Sequence, residues 1–172
     1  MPQFFATCPK GLEYLLRDEL VALGASEVHE ALSGVHFSGE LVDAYRACLW
    51  SRLASRVLMP LSEFAAPDEH ALYDGVQAID WSGHLAEDGT LAVDAVSNAS
   101  QMRHTRYLAQ KVKDAVVDQF RDRNGNRPGV DLEQPSIRLN LLLRKDRALL
   151  SLDLSGTPLH RRGYRVGQGE AP

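Results

Sequence analysis

At 172 residues, with 44% hydrophobic and 24% charged side chains, the chain has ordinary globular composition, which excludes a disordered or low-complexity segment. No apolar run approaches the roughly 20 residues of a membrane helix, and Met1-Pro2-Gln3-Phe4-Phe5-Ala6 lacks the basic start and apolar stretch of a secretory leader. The net charge of −4 hides a split: residues 1–100 hold 5 Lys and Arg against 15 Asp and Glu, a net of −10, and residues 101–172 hold 14 against 8, a net of +6.

The first 64 residues read as six elements. Gln3–Ala6 is a short apolar strand. Thr7 is placed to cap a helix whose first turn contains Pro9. Leu12, Leu15, Leu16, Leu20 and Leu23 then share one helical face, and Gly24 ends it. Glu27–Leu32 and Val35–Ser38 flank Ser33-Gly34, a hairpin signal. Leu41, Tyr45, Cys48 and Leu49 mark a second helix. Ala54–Phe64 is a further strand, in which Pro60 predicts an edge or a bulge. The order β-α-β-β-α-β is that of a small ferredoxin-like domain.

Ala65-Ala66-Pro67 reads as a joint. Asp68 caps a helix carrying Leu72, Val76 and Ile79. Thr90–Val96 is a strand with Leu91, Val93 and Ala95 on one face. A long helix follows, with Leu108, Val112, Ala115, Val116 and Phe120 inward, ending near Gly125. After a polar loop over 124–134, Ile137, Leu139, Leu141 and Leu143 alternate as a strand. Leu149–Leu154 is its hairpin partner across Lys145-Asp146-Arg147. Residues from 155 on are rich in Gly, Arg and Pro and read as a linker.

Several chemistries find no residues here. The six histidines and two cysteines are scattered, with no zinc spacing. No GxSxG elbow or P-loop occurs, and Gly167-Gln168-Gly169 lacks the strand and helix that a nucleotide loop needs. Cys8 and Cys48 form no CxxC pair, so free thiols and a cytoplasmic location are expected, with no membrane partner. Trp50 and Trp81 read as core residues more readily than as stacking platforms.

Three blocks carry a specific likeness. They are Gly11-Leu12-Glu13 with Leu15-Leu16, Glu19-Leu20 and Gly34-Val35-His36-Phe37; Leu49-Trp50-Ser51-Arg52-Leu53-Ala54-Ser55-Arg56; and Leu152-Asp153-Leu154-Ser155-Gly156 with Leu159-His160-Arg161-Arg162-Gly163-Tyr164-Arg165. With Lys111-Val112-Lys113-Asp114-Ala115, they resemble the N-terminal region of the bacterial 23S rRNA guanine-N2-methyltransferase family, whose members are in many bacteria fused to a second, N7-guanine methyltransferase. The resemblance covers essentially the whole chain. It implies an α+β architecture: a ferredoxin-like domain over residues 1–64, and a THUMP RNA-binding domain over 65–158 with a start as early as 43. Residues 159–172 would then be a linker to a methyltransferase domain. That domain would use S-adenosylmethionine and an Asn/Asp-Pro-Pro-Tyr/Phe motif. None of the eight prolines here follows Asn or Asp, so the segment by itself is expected to hold no cofactor and to be inactive.

The partners implied are large-subunit rRNA and the chain's own methyltransferase domain. The candidate RNA-binding residues are Arg103, His104 and Arg106 at the start of the long helix, Lys111 and Lys113 on its exposed side, and Arg161, Arg162, Tyr164 and Arg165 near the end. A helix start favours a phosphate, arginine forks match phosphates, and tyrosine stacks on unpaired bases. Other readings remain open. The helix cations could pair with Asp114 and Asp118, and Arg162 and Tyr164 could pack against the methyltransferase domain. The basic half could neutralise the acidic half. The chain could instead be a THUMP module of a tRNA-modifying enzyme or a ferredoxin-like ligand-binding or protein-interaction module; an acylphosphatase-like hydrolase lacks its Arg/Asn pair.

Overall fold

The computed structural model describes residues 1–162, the side chain of Asn124 excepted. The chain forms two compact units, one of Met1–Val57 with residues 157–162, the other of Leu58–Gly156. The mixed α/β fold expected from the sequence is the fold observed.

The first unit contains β1 (Gln3–Thr7), α1 (Glu13–Ala22), β2 (Ser26–Ala31), β3 (Gly34–Ser38) and α2 (Leu41–Trp50). Strand β3 runs antiparallel to both β1 and β2. The chain then passes beside β1, where Ser55 N donates to Thr7 O at 2.7 Å, and enters β4 (Arg56–Ala65). Phe4, Ala6, Val35 and Phe37 alternate inward and are fully buried, as strand periodicity demands. The Phe4 and Phe37 rings stack at 5.3 Å between centroids, and Leu16 and Leu20 of α1 are fully buried in the same unit.

Two helix readings need correction. Thr7 does not cap α1, because its backbone pairs with Gly34 in the sheet. Pro9 lies in a turn instead, accepting from Leu12 N at 3.2 Å, with Gly11 at φ +93°. In α2 the buried residues are Ala44 and Ala47, while Leu41, Tyr45 and Leu49 point outward. Trp50, expected in the core, is 64% exposed. Periodicity identifies an apolar stripe; it does not say on which side of the helix the sheet lies.

The motif blocks hold this unit together. A Cβ on Gly34 would lie 2.5 Å from Ala6 O, so only glycine fits there. The Glu13 carboxylate accepts from Gly11 N at 2.6 Å and Ser33 N at 3.1 Å, tying the turn before α1 to the hairpin. Glu19 accepts from Ser51 Oγ at 2.5 Å and Arg52 N at 3.0 Å. The Arg162 guanidinium donates to the carbonyls of Cys48 (2.7 Å), Leu49 (2.8 Å) and Ser51 (2.8 Å), closing the C-terminal end of α2. Leu159 N donates to Ser55 O at 2.9 Å. The stretch 157–162 is therefore part of the first unit rather than a free linker.

The second unit orders its strands β4-β8-β7-β5-β6, with β5 (Thr90–Asn98), β6 (Gly129–Val130), β7 (Ile137–Arg144) and β8 (Arg147–Asp153). Strand β7 is parallel to β5 and antiparallel to β8. Helix α3 (Glu69–Gln77), a single 3-10 turn at Trp81–Gly83 and helix α4 (Thr105–Asn124) complete it. The parallel β5–β7 pair requires a crossover, which α4 supplies. Asp68 caps α3 as its sequence predicts, accepting from His70 N and Ala71 N. Leu108, Val112, Ala115, Val116 and Phe120 all face the core, and Gly125 ends α4 at φ +74°. The register of β4 against β8 shifts between Pro60 and Ser62, the bulge that Pro60 foretells. Lys145 (φ +47°) and Asp146 (φ +60°) form a two-residue hairpin turn of the left-handed kind.

Beside the core, Asp80 accepts from Ser82 Oγ and from the Arg123 guanidinium, both at 2.7 Å. The Ser82 hydroxyl, then Arg123, holds its carboxyl at about 2, below its ordinary 3.8. A lowered folded-state value means that this contribution is complete above about pH 4 and is lost as pH falls toward 2. The difference in melting midpoint between the native chain and Asp80→Asn is therefore expected to be full at pH 5 and to close toward pH 2. A gap that stays constant across that interval would rule this out.

Candidate nucleic-acid interface

One end of the second unit gathers basic residues from three segments. Parallel pairing sets Asn98, the last residue of β5, opposite Arg144, the last of β7. Lys145 N donates to Asn98 O at 3.3 Å, and Ser100 Oγ donates to Asp146 at 2.7 Å. The β5–α4 connection and the β7–β8 turn are thus bound to each other. From that connection the chain enters α4 through Arg103, His104 and Arg106. The carboxyl ends of parallel strands beside a helix start are where α/β folds tend to place ligands.

Arg103, Arg106, Arg144 and Lys145 are exposed and hold no ion pair among the described residues. The acidic groups of the same end are engaged. Asp68 caps α3, Asp146 accepts from Ser100, and Glu63 pairs with Arg147 at 2.8 Å. Glu69 accepts from the Tyr107 hydroxyl, which holds its carboxyl below the ordinary range, with Lys111 adding to the effect. The uncompensated charge at this end is positive.

The nine residues singled out from sequence fare differently. His104 is the N-cap of α4, its Nδ1 accepting from Tyr107 N at 3.3 Å, so this nitrogen is occupied. Lys111 is half-buried, its Nζ 5.6 Å from the centre of the Tyr107 ring. Lys113 is also half-buried and pairs with Asp114 at 2.6 Å, so the expected freely exposed pair of lysines is not what the helix presents. Arg161 is exposed in the first unit, and Arg162 is committed to the end of α2. Tyr164 and Arg165 lie outside the described residues. Arg144 and Lys145 were not singled out. Their signal was legible, since Arg144-Lys145-Asp146-Arg147 puts three cations in four positions just past an alternating strand.

Among the described residues no helix is long and apolar enough to cross a membrane. Residues 3–58 match the RlmL ferredoxin-like domain and residues 66–153 match the THUMP domain. A ribosomal RNA large subunit methyltransferase K/L of Syntrophotalea carbinolica is 59% identical over 99% of the chain, and the chain spans 24% of that protein. Its counterpart in Methylococcus capsulatus is 57% identical over 98% of the chain, which spans 23% of it. Among solved structures, a predicted N6-adenine-specific DNA methylase from Listeria monocytogenes superposes with a TM-score of 0.85 at 30% identity, covering 99% of this chain and 45% of that one. The chain thus belongs to the THUMP family, as an RlmL ferredoxin-like domain followed by a THUMP domain, the pair present in ribosomal RNA large subunit methyltransferase K/L proteins.

Proposed function

We propose that this chain holds large-subunit rRNA for an S-adenosylmethionine-dependent guanine-N2 methyltransferase whose catalytic region lies outside it. The observation that carries this reading is the cluster of four unpaired cations, Arg103, Arg106, Arg144 and Lys145, at one end of the THUMP domain. Phosphates are the partner such a cluster suits, because double-stranded RNA offers shape, 2′-hydroxyls and phosphates more than a readable major groove. The similarity to ribosomal RNA large subunit methyltransferases K/L supports the rRNA and the methyl transfer. The residues present do not fit the methyl donor. The connection from β5 to α4, Ala99 to His104, holds no glycine, and Met102 N already donates to Ser100 Oγ. The chain by itself is accordingly inactive and leaves the cofactor to the catalytic region.

The test is filter binding of a large-subunit rRNA hairpin as a function of salt. Four phosphate contacts predict a slope of log K against log salt of about −3, from roughly −0.7 per contact on single strands. Arg103→Glu combined with Arg144→Glu should weaken binding at least about tenfold and make the slope shallower, while the melting midpoint barely moves. Arg127→Glu is the control, because Arg127 is exposed just past the other end of α4, a 20-residue helix about 30 Å long. Equal losses in the control and the double variant would place the binding face elsewhere.

A further inference from the structure

Helix α2 turns its large apolar side chains away from its own domain. Leu41 (43%), Val42 (59%), Tyr45 (51%), Leu49 (64%) and Trp50 (64%) are all exposed, while the small Ala44 and Ala47 are the buried residues. Positions 42, 45 and 49 follow i, i+3, i+7 spacing, so they form one continuous stripe. The helix's two charged residues, Asp43 and Arg46, pair with each other at 2.6 Å and leave the face without net charge. Beside its C-terminal end lies a groove of about 530 Å³, lined by Leu15, Ala22, Leu23, Trp50 and Leu53 with Glu19 and Arg52. Scattered apolar residues on a surface need no explanation; a contiguous patch of this kind marks an interface.

The occupant follows from the path of the chain. Arg162 is bonded to the carbonyls of Cys48, Leu49 and Ser51, so the last described residue of the chain is held at the end of α2. The chain is 24% of the length of a K/L relative. Whatever follows is tethered beside Leu49 and Trp50 at an effective concentration in the millimolar range, where a modest apolar contact suffices to dock it. A face without net charge is poorly suited to RNA, whose binding is driven by phosphate neutralisation.

We propose that the outward face of α2 and the adjoining groove dock the methyltransferase region that follows this chain in the complete enzyme. This rests on the function proposed above only in that such a region follows. Docking there would fix the first unit to the catalytic region.

The experiment uses the complete polypeptide with p-benzoylphenylalanine in place of Tyr45, and in place of exposed Leu132 as the control position. Irradiation followed by peptide mapping should give crosslinks from position 45 to residues beyond 172 of the same chain, and far fewer from position 132. Adding Leu49→Asp should cut that yield at least about fivefold, with rRNA affinity within about twofold of the native enzyme. Crosslinks between two copies, crosslinks to RNA, or none beyond residue 172 would each overturn the proposal. Crosslinks as expected in an enzyme that does not bind rRNA would leave the docking intact and refute the RNA reading instead.

Discussion

Replacing Gln119 by leucine is expected to destabilise the second unit by about 4 kcal/mol, far more than a usual surface change. Gln119 lies almost fully buried on the core side of α4. Its Nε2 donates to Gln77 O at 2.9 Å and Ile79 O at 2.8 Å, and its Oε1 accepts from Trp81 N at 3.0 Å. One side chain thus satisfies the end of α3 and the start of the 3-10 turn that seats the fully buried Trp81. Leucine has a similar volume, so the loss is not a cavity. It leaves three backbone groups without partners, each costing about 1–3 kcal/mol when shielded from water. Gln119→Glu keeps the acceptor but sets a buried carboxylate oxygen against two carbonyl oxygens, and should be no milder than leucine. Gln110→Leu, on the exposed side of the same helix, should stay within about 0.5 kcal/mol. Urea denaturation of the four proteins decides the matter, and a Gln119→Leu midpoint close to the native one would defeat the argument.

Glu19→Ala is expected to cost the first unit about 3 kcal/mol. Its carboxylate receives Ser51 Oγ, Arg52 N and Leu53 N, and its side chain is only 11% exposed. Burial pushes its pKa up, but the hydrogen bonds from Ser51 and Arg52 outweigh that and hold it below its ordinary value. The folded state therefore binds this proton less readily than the unfolded state. Its contribution is complete above about pH 5 and fades as pH falls through and below the ordinary glutamate range. Thermal melts at pH 7 and at pH 3.5 should show the native chain approaching Glu19→Ala at the lower value. A gap that widens on acidification would reverse the sign and contradict the assignment.

Much of the fold was legible in sequence because it is local. Leu108, Val112, Val116 and Phe120 repeat at helical spacing, Ile137 to Leu143 alternate, and Gly125 and Asp68 are punctuation whose chemistry allows few other roles.

The misreadings share one cause. Thr7 has the chemistry of a helix cap, yet its backbone is committed to β1, and that commitment depends on Gly34, 27 positions away. The apolar stripe of α2 was visible, but only packing decides that Ala44 and Ala47 are buried and Trp50 is exposed. Arg162 has a phosphate-binding fork, and the fold spends it on three carbonyls of α2.

Sequence by itself therefore determined the type and order of the elements, the family, and which half carries positive charge, because these rest on periodicity, turn residues and composition. Only the tertiary structure decided which cations are free. Lys113 is cancelled by Asp114 next to it, Arg147 by Glu63 from another strand, and Lys111 is drawn toward Tyr107 and Glu69, while Arg144 and Lys145 are brought to the start of the β5–α4 connection, which carries Arg103, by the parallel pairing of β5 with β7. Charge is a property of residues, but an unpaired charge is a property of distances, and most of those distances join residues far apart in the chain.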